Sequence, residues 1–213
     1  MIRKTMLLAK NACLLQVCIC FCVLIMVSGF ESYAQKTWNG TTSNDWNVGS
    51  NWTPAGVPTS TDKVIIPVAP NPCNLTSNVA IAHMEIQGGT VNQGNFNLSI
   101  TVTAGGDGFL MNGGVFNTGT TALMQVNSTL TLRAHFNINN GSTFNAPADL
   151  QIEGHYARSG TGIFNHNGGK VVFLQFPQAN IQGMNTYDGN TVFHQLEFNG
   201  GAGPLVQAFA LVN

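Results

Sequence analysis

Apolar and polar residues alternate over short stretches along most of the chain. The runs LSITV at residues 98–102 and LQI at residues 150–152 place Leu, Ile and Val on one side and Ser, Thr and Gln on the other. Similar runs occur at residues 130–132 and 192–198. A period of two is that of a β-strand, and no helical period stands out beyond residues 1–35. The pattern therefore predicts an all-β protein built from short strands.

A glycine-led motif divides these strands into units. GGTVN at residues 88–92 is followed by GGVFN at 113–117 and NGSTFN at 140–145, and a looser copy, GGKVVF, occupies 168–173. The motif returns roughly every 25–28 residues, a period that indicates stacked repeats. One such unit cannot bury its apolar face alone, whereas stacked units share a continuous interior.

The repeat predicts a right-handed parallel β-helix of roughly five or six coils. The alternative is an antiparallel β-sandwich, in which strands would recur roughly every 8–12 residues. The constant position of the glycines within a longer period favours the β-helix. Asn92, Asn117 and Asn145 each follow an apolar residue at the same point of a unit. Stacked coils would align them as an asparagine ladder, with side-chain amides bonded along the axis.

The stretch before the repeats has a different composition. Residues 35–72 contain all three tryptophans, Trp38, Trp46 and Trp52, and precede the coils predicted for residues 73–213. Because the terminal repeats of a solenoid need covering, we expect these rings to plug the N-terminal end as a cap. The other interpretation of the three tryptophans is a ligand site, since exposed aromatic rings stack on sugar faces.

The segment at residues 38–67 contains the patterns WNG, DWN, NW, GVP and DKVIIP. It resembles the N-terminal start of large secreted repeat proteins of Bacteroidetes-type bacteria, which are adhesin-like or autotransporter-passenger-like parallel β-helix proteins. Residues 164–173 and 190–198 look like their recurring coil unit. The resemblance implies an adhesin-like role at the cell surface. Such proteins commonly end in a sorting domain, and because none precedes Asn213, we expect an N-terminal fragment of a longer product.

Residues 1–34 have the pattern of a secretory signal peptide. Basic residues near the start are followed by an apolar run at 13–27, which is shorter than a membrane span, and Ala34 ends a cleavage pattern. We therefore expect cleavage after Ala34, a secreted or cell-surface protein, and no membrane span in the mature chain. Cys73 would be the one cysteine left, so that no internal disulfide could form.

Composition narrows the choice of function. Only 8% of the 213 residues are charged and the formal net charge is -1, whereas 44% are hydrophobic. Without a basic cluster to neutralise phosphates, the sequence excludes a nucleic-acid partner. The 5 histidines show no metal-ligand spacing, so we expect strand-face histidines and neither a metal site nor a cofactor.

The sequence thus predicts a non-enzymatic exported β-helix, an adhesin-like scaffold that presents rows of Thr, Asn and Ser to glycan or extracellular matrix. The alternative is a polysaccharide-active enzyme, a lyase or a hydrolase, on the same fold. Such an enzyme needs clustered carboxylates beside a basic residue. The candidates are Asp107, Asp149, Glu153 and Asp188, with Arg133 or Arg158.

Overall fold

The computed structural model describes residues 33–103, 106–129, 134–174 and 191–199. The predicted strand at residues 130–132 and nearly all of the predicted signal peptide lie outside these ranges. Within them, no helix is long and apolar enough to cross a membrane. The only helical turn described is a short 3-10 turn at Gly49–Asn51.

The remaining elements are β-strands. The first nine are β1 (Ala34–Trp38), β2 (Trp52–Thr53), β3 (Asp62–Pro67), β4 (Cys73–Asn74), β5 (Val79–Ile81), β6 (His83–Gln87), β7 (Thr90–Asn92), β8 (Leu98–Val102) and β9 (Gly106–Met111). The next nine are β10 (Gly114–Asn117), β11 (Leu123–Ser128), β12 (Ala134–Ile138), β13 (Ser142–Asn145), β14 (Asp149–Ile152), β15 (Tyr156–Arg158), β16 (Ile163–Asn165), β17 (Lys170–Leu174) and β18 (Gln195–Asn199).

The strands form three sheets. Sheet A has the order β15-β12-β9-β6-β3-β1-β2, sheet B the order β16-β13-β10-β7-β4, and sheet C the order β18-β17-β14-β11-β8-β5. From β3 to β17, successive strands enter sheets A, B and C in turn, which makes five complete coils. Strands of neighbouring coils pair in parallel, as β6 does with β9 and β10 with β13. The predicted parallel β-helix is confirmed, and the antiparallel sandwich is not the fold.

The interior is filled by the inward-facing residues of each strand, since alternate side chains of a strand point to opposite faces. The parallel register stacks like residues on one another. Phe144 packs on Phe116 with ring centroids 5.1 Å apart and on Phe164 at 5.9 Å, with nearly parallel rings in both pairs. A second column of stacked rings consists of Phe109, Phe136 and Tyr156. These columns form the aromatic centre of the core.

Three of the four glycine-led motifs enter sheet B, as β7, β10 and β13. The predicted equivalence of the fourth motif is wrong, because GGKVVF leads into β17 of sheet C. The fourth equivalent strand is β16, whose Phe164 and Asn165 pair with Phe144 and Asn145 of β13. The coils differ in length, so that motif spacing alone does not determine which strands stack.

The N-terminal end is closed by a cluster of three tryptophan rings. Trp52 lies edge-on to Trp38 and Trp46, with centroids 4.9 and 4.7 Å away, and each of the three residues is 1% exposed. β2 pairs antiparallel with β1 and ends the parallel series of sheet A. The predicted tryptophan cap is confirmed. The first coil begins with β3 at Asp62, ahead of the boundary expected at residue 73.

Candidate functional site

The outer face of sheet A brings six ionisable side chains into one row. The register aligns Lys63 with His83 on neighbouring coils, and Asp107 with His135 further along. Glu85 lies two residues after His83 and therefore on the same face, whereas the intervening Met84 is buried in the core. We call this set the sheet A row. It comprises Lys63, His83, Glu85, Asp107, His135 and His155.

Lys63 and Glu85 form an ion pair between neighbouring coils, with Nζ 2.8 Å from Oε2. The side-chain amide of Gln87 donates to the Oε1 atom of Glu85 at 2.7 Å. Burial alone would raise the pKa of Glu85, but the hydrogen bonds from Gln87 and Lys63 and the charge of Lys63 outweigh it and hold the pKa below its usual value. Glu85 is therefore ionised at neutral pH and paired with Lys63.

His83 is held in one tautomer by the main chain. Its Nδ1 atom lies 2.6 Å from the carbonyl oxygen of Asp107, and because a carbonyl only accepts, Nδ1 carries the proton. Nε2 is then an acceptor. It is buried and has no hydrogen-bond partner in the part of the chain that the structure describes. Burial lowers the pKa of His83, and it outweighs the opposing hydrogen bond to Asp107.

Tyr33 covers the imidazole of His83. The two ring centroids are 4.3 Å apart and the planes meet at 76°, an edge-to-face contact. The phenol oxygen accepts from the main-chain N–H of Thr103 at 2.9 Å and lies 2.7 Å from that residue's hydroxyl oxygen. A cavity of about 310 Å³ adjoins these rings, which we call the His83 cavity. Its other walls include Lys63, Glu85, Asp107 and Leu110.

The sheet A row continues over the next two coils. The rings of His135 and His155 lie with centroids 4.3 Å apart, and the main-chain N–H of His155 donates to Nδ1 of His135 at 3.1 Å. The side-chain amide of Asn137 donates to the carboxylate of Asp107. In the described ranges, no group of three or more His, Cys, Asp or Glu residues is placed to hold a metal ion. The row therefore offers hydrogen-bonding groups rather than a metal-ligand set.

A second row follows the outer corner of sheet B. From the second asparagine of this row onward, each side-chain amide nitrogen donates to the Oδ1 atom of the asparagine in the coil before it, over 2.7 Å in the first bond and 2.8 Å in the others. We call this row the asparagine ladder. It consists of Asn74, Asn92, Asn117, Asn145 and Asn165. The three predicted members are thus joined by one asparagine at each end.

A column of β-branched residues accompanies the asparagine ladder. These residues face outward from sheet B and align in register from coil to coil. The column consists of Thr90, Val115, Thr143 and Ile163. Together, the column and the ladder give sheet B an uncharged outer surface of repeated groups.

The three tryptophans named as ligand candidates lie in the cap. The indole N–H of Trp38 donates to the main-chain carbonyl oxygen of Asn71 at 2.9 Å, and that of Trp52 donates to the carbonyl oxygen of Trp46 at 2.8 Å. Stacking on a sugar requires an exposed ring face, and 1% exposure leaves none at Trp38, Trp46 or Trp52.

The candidate carboxylates of the enzyme hypothesis lie on different sheets. Asp107 belongs to β9 of sheet A, whereas Asp149 begins β14 of sheet C, with Lys170 Nζ 3.7 Å from its carboxylate. The structure therefore does not place Asp107 and Asp149 on one face.

The other enzyme candidates have structural contacts or are not described. Glu153 accepts a hydrogen bond from the main-chain N–H of Ser128, and Arg158 donates to a nearby carbonyl oxygen. Asp188 and Arg133 lie outside the described residues. The described carboxylates of Asp149 and Glu153 thus bond one coil to its neighbour.

The model of a family described as a domain of unknown function, DUF8693, matches residues 37–149. The chain belongs to this family. The DUF8693 region begins in β1, includes the tryptophan cap and ends at the first residue of β14. No curated protein and no solved structure matches the chain significantly.

Most of the His83 cavity lies within the DUF8693 region, yet sequence reasoning missed it. Alternation in β3 and β6 could have aligned Lys63 with His83. The position of Tyr33 over His83 could not be found in this way, because the Tyr33 hydroxyl is hydrogen-bonded to Thr103, 70 positions further along the chain. Only the winding of the coils brings these residues together.

Proposed function

We propose that the chain is an exported, non-enzymatic β-helix scaffold of the cell surface or extracellular space, with an adhesin-like role. The observation that carries the proposal is the asparagine ladder, a row of uncharged amides bonded from coil to coil. An inner asparagine uses one amide N–H and one oxygen lone pair within the ladder. One donor and one acceptor site therefore remain for a glycan or matrix partner.

The spacing of these groups supports contact with a long, repetitive partner. Neighbouring coils are about 4.8 Å apart, so that the same amide and the same β-branched residue recur at that interval. Each contact is weak, but contacts along a stiff rod sum by avidity. The pattern of residues 1–34 supports the exported location.

Two substitutions in the same coil test which sheet makes contact. Thr90 on sheet B and Ser99 on sheet C are both half-buried and point outward. Thr90→Lys would place a long charged side chain beside the asparagine ladder, and Ser99→Lys is the matched control. Adhesion of the protein to glycan-coated and matrix-coated surfaces should fall severalfold for Thr90→Lys only. Equal adhesion of both variants, with unchanged circular dichroism, would contradict the assignment of contact to sheet B.

The second candidate is a polysaccharide-active enzyme, and the sheet A row is the observation that favours it. The Asp107 carboxylate and the imidazoles of His83 and His135 lie in the same part of this row. Incubation with polysaccharides and measurement of new reducing ends or unsaturated products tests this candidate. Turnover that disappears in Asp107→Asn would refute the non-enzymatic scaffold.

A further inference from the structure

Tyr33 stands directly before β1 and is the next-to-last residue of the predicted leader at residues 1–34. Its ring packs against the imidazole of His83, with centroids 4.3 Å apart and the ring planes at 76°. Cleavage after Ala34 would remove that ring. β1 would remain paired with β3 from Gln35 onward, because the parallel register continues there.

The Nε2 atom of His83 is a hydrogen-bond acceptor that has no donor among the described residues. The carbonyl oxygen of Asp107 fixes the proton of His83 on Nδ1, which leaves the lone pair of Nε2 facing a buried position. Buried polar atoms are nearly always paired, so an orphaned acceptor calls for an explanation. The phenol oxygen of Tyr33 is bonded to Thr103 and supplies no donor to Nε2. A ligand with an O–H group in the place of this ring would supply the missing donor.

We propose that the His83 cavity is a binding site for a neutral saccharide, partly covered by Tyr33 in the full chain and opened further when export removes residues 1–34. The opening step rests on the proposed function, because it requires the leader to be cleaved. The saccharide site itself is independent of the adhesive surface on sheet B.

The chemistry of the walls selects this class of ligand. A sugar hydroxyl both donates and accepts, so neighbouring hydroxyls can donate to Nε2 of His83 and accept from the ammonium of Lys63. The cavity walls carry two carboxylates, Glu85 and Asp107, and one ammonium group, Lys63, so their net negative charge disfavours an anionic ligand. Leu110 and the imidazole face supply the apolar contact that the C–H face of a sugar requires.

Acylation by diethyl pyrocarbonate tests the cover directly, because this reagent attacks the unprotonated nitrogen of accessible imidazoles. Peptide mass spectrometry of the processed protein and of the full chain in detergent compares the two forms. Modification of His83 should be severalfold faster in the processed protein, whereas the exposed His194 serves as the internal reference. Equal modification of His83 in the two forms would overturn the role of Tyr33.

Titration calorimetry tests the site, with cellotetraose, maltotetraose and mannotetraose as neutral probes and tetragalacturonate as the anionic one. The processed protein should bind at least one neutral probe. His83→Phe, which keeps a ring but loses the Nε2 lone pair, should weaken that binding by about tenfold or more. The control is His194→Phe, at an exposed histidine outside the sheet A row, with unchanged binding. Absence of neutral binding, or preference for tetragalacturonate, would overturn the site.

Two variants of the full chain separate failure of this site from failure of export. Tyr33→Ala removes the ring that packs against His83 without any cleavage, whereas Tyr33→Phe retains that ring. Binding of a neutral probe by Tyr33→Ala but not by Tyr33→Phe supports the site even where the leader stays attached. In that case, an N-terminal mass showing that the exported protein still carries residues 1–34 would count against the proposed function alone. Equal binding of the neutral probe by the two variants would overturn the role of Tyr33 in covering the site.

Discussion

The side-chain amide of Asn117 donates to the Oδ1 atom of Asn92 at 2.8 Å, although the two residues are 25 positions apart. Asn145 repeats the same bond onto Asn117 at 2.8 Å. An inner member of the asparagine ladder therefore makes two such bonds, while Asn165 at the end makes one within the ladder. This difference allows the ladder to be tested by position.

Asn117→Ala should lower the free energy of unfolding by about 1–3 kcal/mol, because two hydrogen bonds of about 0.5–1.5 kcal/mol each are lost. Asn165→Ala loses one ladder bond at a more exposed position and should cost less. Urea unfolding followed by circular dichroism measures both variants. A larger loss for Asn165→Ala than for Asn117→Ala would contradict the contribution of the ladder.

The column of stacked phenylalanines predicts a steep cost for a truncation at its middle. Phe144 contacts rings on both sides, so Phe144→Ala should lower the free energy of unfolding by about 3–5 kcal/mol. Phe96, which is 37% exposed, provides the matched control. Phe96→Ala should change stability by much less in the same urea titration. Similar costs at both positions would argue against the stacked core.

Stability should fall in mildly acidic solution because of His83. Burial lowers the pKa of His83 in the folded chain, so the unfolded chain takes up a proton first as the pH falls. The contribution of His83 to the free energy of unfolding is fully present above the ordinary histidine pKa of about 6.5. It is lost as the pH falls from that value through the lower pKa of the folded state.

Urea unfolding at about pH 7.5 and about pH 5.5 measures this loss. His83→Gln should show a smaller fall in stability between the two conditions than the parent protein. Gln195→Ala, which alters no ionisable group, should retain the parent's fall. An unchanged pH dependence in His83→Gln would show that another group causes the loss.

The thiol of Cys73 should resist alkylation in the folded protein. Burial raises the pKa of this thiol well above its usual value, and the nearby negative charge of Asp45 adds to the effect. Iodoacetamide should therefore modify Cys73 at the rate of unfolding, and rapidly once urea is added. Fast modification under native conditions would contradict its burial in the first coil.

Much of the fold follows from the sequence because strand alternation and corner glycines are local properties. The β3 strand, the sheet B motifs and the ladder members Asn92, Asn117 and Asn145 could all be predicted in this way. The members Asn74 and Asn165 could not, because none of the four glycine-led motifs leads into their strands, β4 and β16. The ladder residues are separated by 18, 25, 28 and 20 positions, and a variable coil length hides the register.

The sequence by itself determined the all-β class, the stacking of coils and the presence of a tryptophan cap, since each depends on short-range pattern and composition. Only the tertiary structure decided that GGKVVF enters sheet C, that the tryptophan rings are closed to ligands, and that Tyr33 covers His83. The physical reason is that backbone pairing between coils sets which side chains meet. That pairing joins residues far apart in the chain, so no local pattern records it.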